Sequence, residues 1–215
     1  RHGGIEAKPL IQDIIDDPAA PLQYSAVMAL AEVGDTSIVP VLRSYLRNDV
    51  PASEQIRVLQ QLSALGDTQG RTLYLDTIDT AQWLAKGVEI SQRKPNRVEV
   101  IEARRLLTDL RDYAPDEQLV PFIEELSGYY GEWLKGDTCR TLGKIGSEGA
   151  VPFLISMLPE NGKAPEGDAS NPEMVPVVHA LMQITGEDFG DRRGDWQSWW
   201  GTHTQEAETE DPRGK

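Results

Sequence analysis

A glycine followed six positions later by a proline, then by an apolar stripe, occurs at Gly34–Pro40 in "GDTSIVPVLRSYL". It recurs at Gly146–Pro152 in "GSEGAVPFLISML". The opening residues hold another case, Gly3 and Pro9 around "AKPLIQDII", and "VPFIEEL" places Pro121 in the same way before its apolar run. A device reused at about thirty-residue spacing restricts the chain to an array of similar units, and the period must be found before any single motif is interpreted. Each unit reads as helix, tight turn, helix. In "SAVMALAEVGD", Val27, Leu30 and Val33 keep helical spacing, and Gly34 stands where a helix ends in a left-handed residue. Asp35, Thr36 and Ser37 are N-cap residues for the next helix. Pro40 falls in its first turn, where a missing N–H costs little.

Further copies keep the register. "QIRVLQQLSALGD" puts Leu59, Leu62 and Leu65 in the apolar slots before Gly66 and Asp67. "DTCRTLGKIGS" does the same with Cys139, Leu142 and Ile145 before Gly146, and "VVHALMQITG" with Val178, Leu181 and Ile184 before Gly186. Cys139 thus falls in a core slot and reads as a small buried hydrophobe rather than a reactive thiol. The third copy, "EARRLLTDLRDYAP", fits worst: it puts Arg111 in the glycine slot and Arg104 in an apolar one.

The helix pairs, the Asp-containing turns and the "VPxL" opening of second helices resemble HEAT and HEAT-like repeats of the phycobilisome-lyase type, over most of residues 1–190. One helix pair cannot bury its own apolar face, which is the physical reason for repetition. The resemblance implies an all-α, right-handed α-α superhelix of about five helix pairs. Because the first copy starts at its turn, its leading helix is expected to precede Arg1. The stretch "GEDFGDRRGDWQSWWGTH" is similar to the "FG…WxxWW" ending of bacterial HEAT-repeat proteins. Trp196, Trp199 and Trp200 share one helical face there and read as a lid on the last repeat, against the alternative of an aromatic ligand site. The expected organisation is a solenoid over 1–202, with an irregular insertion about 78–97, a polar loop at 159–172 and a cap at 187–202. A disordered acidic tail is expected over 203–215.

The formal net charge of -14 disfavours nucleic acid unless basic residues are segregated. Residues 86–111 are the one basic stretch: Lys86, Arg93, Lys94, Arg97, Arg104, Arg105 and Arg111 against four acids, net +3, leaving -17 for the rest. It reads either as a solvated helix with internal pairs or as a docking patch, with Lys86, Arg93, Lys94, Arg97 and Arg104 as partner-binding candidates. Chemistry is not written in the sequence. His2, His179 and His203 are scattered and Cys139 is alone, so no metal site is expected. Asp16–Asp17 and Glu124–Glu125 are adjacent on helices, about 100° apart, and read as solvated faces. "DFG" has no glycine-rich loop or "HRD" beside it. No catalytic residue and no cofactor are expected. The reading is a non-enzymatic scaffold, or a subunit of a larger assembly, that binds a protein partner and neither nucleic acid nor membrane interior. Two HEAT-like enzyme classes stand as alternatives: a chromophore lyase of the phycobilin type, and a DNA glycosylase, which the acidic charge opposes. The chain is expected to be soluble, cytoplasmic or exported.

Overall fold

The computed structural model describes residues 23–46, 51–160 and 175–210. Among them are eleven α-helices and no strand: α1 Gln23–Glu32, α2 Val39–Ser44, α3 Ala52–Ala64, α4 Thr68–Asp76, α5 Thr80–Ser91, α6 Arg97–Tyr113, α7 Val120–Tyr130, α8 Lys135–Ile145, α9 Val151–Ser156, α10 Val175–Thr185 and α11 Arg193–Glu210. The fold is all-α, built from packed neighbouring helices. The chain divides into two compact units, one up to Asp79 with Asp112–Ala114, the other over Thr80–Arg111 and from Pro115 onward. The polar loop at 159–172 lies almost wholly outside the described residues, as do the N-terminal Gly3–Pro9 case and His2.

The turns follow the expected chemistry. Gly34, Gly66 and Gly146 end their helices at φ 84°, 82° and 73°, where an L side chain would be strained. At Gly34 the next N–H, that of Asp35, donates to the Leu30 carbonyl at 3.0 Å, and Gly34 N–H donates to Ala31, closing the helix on its own last carbonyls. The Asp35 carboxylate then accepts from Ser37 N–H at 3.0 Å, capping a 3-10 turn at Thr36–Ile38 that leads into α2. Ser147 caps the corresponding 3-10 turn before α9, and Pro40, Pro121 and Pro152 all lie in first turns.

In the first unit α3 packs against α1, α2 and α4. Val27, Leu30, Ile38, Leu42, Val58 and Leu62 form its core. Asp67 ties its turn to α2: it is 8% exposed, caps α4 through Gly70 N–H at 2.6 Å, and accepts from Arg43 Nε at 2.9 Å. One apolar slot does not hold. Val33 is 63% exposed, because it sits at the turn itself.

In the second unit α5 packs on α7, α8 on α7 and α10, and α9 on α10 and α11. The stretch expected to be an irregular insertion contains the regular helix α5. The third copy is out of register by three residues. α6 runs past Arg111, with Leu107 and Leu110 wholly buried and Ala114 in the place of the turn glycine. Asp116 then caps the next turn through Gln118 N–H at 2.9 Å. Arg104 is therefore an exterior residue, and Leu107 fills the slot assigned to it. Cys139 is wholly buried on α8, and burial pushes its thiol up to about 11, so it is a protonated, packed hydrophobe. Beside it α8 and α10 meet at Gly143, where an added Cβ would stand 3.1 Å from Ala180 Cα and 2.6 Å from Gln183 Oε1.

The aromatic ending is a helix. Trp196 is wholly buried, donates from Nε1 to the Gly190 carbonyl at 2.8 Å, and meets Phe189 edge-on at 4.9 Å. Trp199 and Trp200 are half-buried, and His203 stacks on Trp199 at 4.9 Å. That stacking continues the aromatic stripe one turn further, and α11 extends to Glu210 where a disordered tail was expected from His203.

Candidate partner-binding surface

The basic stretch occupies α5, the turn after it, and α6. Its five candidate residues do not form one patch, because α6 divides them. Successive helical residues are about 100° apart, so Glu102 and Arg104 project to opposite flanks.

The flank toward α5 is closed by one-to-one pairing. Gly87 lets α5 lie against Tyr129 of α7; the ring occupies the space that a Cβ would need. Lys86 Nζ then lies 2.6 Å from Glu102 Oε2 and 5.4 Å over the Trp83 ring. Gln82, Trp83, Ala85, Lys86, Glu89 and Glu102 line an open cavity of about 500 Å³ there. In the turn, Arg93 grips Glu99 with two bonds, at 3.0 and 2.6 Å. Asn96 and Glu99 form a reciprocal N-terminal cap on α6. Asn96 Oδ1 accepts from Glu99 N–H at 3.1 Å, and Glu99 Oε2 accepts from Asn96 N–H at 2.8 Å. The Arg93 hydrogen bonds and then the Asn96 N–H hold the Glu99 carboxyl at about 2, and the same contact raises the Arg93 guanidinium. Lys86 and Arg93 are thus engaged within the fold. Lys94 and Arg97 are exposed and meet no acidic side chain among the described residues.

The flank toward α8 is built differently. Thr141 of α8 donates to the Leu107 carbonyl of α6 at 3.1 Å, drawing the two helices together. Arg104 donates from Nη2 to the Trp133 carbonyl at 3.0 Å and approaches Asp137 Oδ2 to 3.2 Å through Nε. Arg140 Nη2 lies 2.6 Å from the other oxygen of the same carboxylate. One acid serves two arginines. Both guanidinium side chains are 53% exposed, while Asp137 is 17% exposed. Close by on the surface are Ile101, 54% exposed, and Trp133, 51% exposed, with Val98 and Arg105 also outward on α6.

Sequence reasoning found Arg104 but missed Trp133, Asp137 and Arg140. The Asp137–Arg140 spacing of i, i+3 was a signal for a surface pair; nothing in the sequence tied it to Arg104. The Asn-x-x-Glu cap at Asn96–Glu99 was also legible and assigns Arg93 to the turn.

Residues 22–48 match the family model of the PBS lyase HEAT-like repeat, which is the segment from the start of α1 through α2. No curated protein and no solved structure matches the chain. No helix among the described residues is long and apolar enough to cross a membrane.

Proposed function

We propose, from the match of residues 22–48 to the HEAT-like repeat and from the packed neighbouring helices, that this chain is a non-enzymatic HEAT-like scaffold, or a subunit of a larger assembly, that binds a protein partner through its helical surface. HEAT-like arrays bury their apolar residues against neighbouring helices, so what remains outside is free to recognise a partner. The observation that carries the reading is the outer face of α6 and its neighbour Trp133. Val98, Ile101 and Trp133 are each more than half exposed, set among arginines. Tryptophan and arginine are the residues that most often anchor protein interfaces. The test uses the protein as bait in extract of its native source, with complexes resolved by size and identified by mass spectrometry. The expected result is one partner at fixed stoichiometry whose binding saturates. Absence of any stoichiometric partner would remove the reading.

A second reading, an enzyme of the chromophore-lyase kind, has the cavity beside Trp83 behind it, where Lys86, Glu89 and Glu102 share one wall. Lys86 and Glu102 are bound to each other there, which leaves neither free for proton transfer without a rearrangement. Titration with a linear tetrapyrrole separates the two. A stoichiometric absorbance change abolished by Trp83→Ala would favour the enzyme, and no binding would favour the scaffold.

A further inference from the structure

We propose that the seam between α6 and α8 is a docking face for an acidic peptide segment that also carries apolar side chains. The partner's carboxylates meet Arg104, Arg140 and Arg97, and its apolar groups meet Ile101 and Trp133. This rests on the protein-binding reading above and names the chemistry of the partner.

The charge count at the seam is unbalanced. Arg104 and Arg140 share the single carboxylate of Asp137, so the cluster keeps one positive charge that the fold does not neutralise. Arg97 and Arg105 on α6 and Lys144 on α8 are exposed and meet no acid among the described residues. In a chain of net charge -14, cations gathered along one seam offer a complementary surface to an acid.

The arginines are also held in place. Asp137 and the Trp133 carbonyl fix Arg104 through Nε and Nη2, and Asp137 fixes Arg140 through Nη2. A guanidinium has five N–H donors, so each keeps donors for an external carboxylate. Ordering cost is largely met before binding. Arg97 stands two helical turns from Arg104, about 10 Å along the axis, which sets the length of the recognised segment at a few residues on each side of Ile101.

A peptide fits this surface better than a nucleic acid. The net charge of -14 opposes a long polyanion, and its phosphates have no use for Ile101 or Val98. A short segment with both acidic and apolar side chains uses every exposed group at the seam.

The test measures fluorescence anisotropy of a labelled peptide of Glu, Asp, Leu and Phe, with an all-Glu peptide and oligo-dT as competitors. The mixed peptide is expected to bind best, and more weakly as salt rises. Arg97→Glu with Arg105→Glu touches no internal ion pair and is expected to weaken binding at least about tenfold with an unchanged melting curve. Ile101→Ser and Trp133→Ala are expected to weaken the mixed peptide but not the all-Glu one. A Lys-for-Glu peptide should recover binding to the charge-reversed protein. Equal binding of the mixed peptide to wild type and reversed protein would overturn the proposal, as would tighter binding of oligo-dT. Capture of the native partner by the reversed protein, undiminished, would also overturn this face and leave the scaffold reading standing. Failure of wild type to capture any partner would instead count against the scaffold reading, while the peptide titration still decides the face.

Discussion

The aromatic ending and the α6–α8 seam belong to the same compact unit and spend their side chains in opposite ways. At the ending, Trp196 is wholly buried, its one donor is satisfied by Gly190, and Phe189 closes on it edge-to-face. Trp199 and Trp200 beside it on the same helix are half-buried. At the seam the helices meet through Thr141 and Leu107, but two arginines divide one carboxylate and Trp133 stays in water. The dry region should therefore govern stability and the wet one recognition, and each can be altered with little effect on the other.

The largest expected effect is at the ending. Trp196→Ala removes a fully buried ring and should cost about 3–5 kcal/mol, read as a large fall in melting temperature or loss of soluble protein. Trp199→Ala should cost less, since that ring is half-buried; equal losses would mean that the two share one packed role. A stable, well-folded Trp196→Ala protein would show that the buried ending does not govern stability.

Between the two regions lies the α8–α10 contact. Gly143→Ala puts a methyl against Ala180 Cα and should destabilise by about 1–3 kcal/mol. Cys139→Ser buries a hydroxyl in the adjoining core at a cost of about 1–3 kcal/mol. Thiol reagents should label Cys139 slowly in the native protein and quickly once it is unfolded. Rapid native labelling would show that α8 is not packed as described.

At the seam the sharper variant is Asp137→Asn. It removes the internal rival for the two arginines, so affinity for the acidic peptide should rise several-fold, while stability falls by about 1 kcal/mol for the lost charge-assisted bonds. A drop in affinity instead would mean that Asp137 matters for positioning more than it competes.

The smallest effect is expected on the opposite flank of α6. The Glu99 carboxyl, held at about 2 against an ordinary 4.5, is favoured in its charged form by folding. That stabilisation is complete above about pH 4.5 and lost as pH falls toward 2. Glu99→Gln should flatten the melting temperature across that window and leave peptide binding at neutral pH unchanged. A binding loss would join the two flanks into one surface.

The turns are legible in the amino-acid sequence alone. A left-handed glycine, the acid or serine that follows it and a proline in the next first turn are local devices, each satisfied within a few residues, so they are legible without knowing what packs nearby. Where they change, the period is lost: Ala114, Pro115 and Asp116 make a turn with no glycine, which sets Arg104 three residues away from the core slot. The residues from His203 carry no apolar period, so a disordered tail is expected there; in the structure His203 stacks on Trp199 and the helix continues. The seam was the least legible part. Which of seven basic residues remain free depends on the angle each takes around α6 and on the helix that lies beside that angle. Lys86 found Glu102, and Arg93 found Glu99, whereas Arg104 had to share Asp137 with Arg140. Pairing across helices is set by tertiary packing, and no count of charges along a chain contains it.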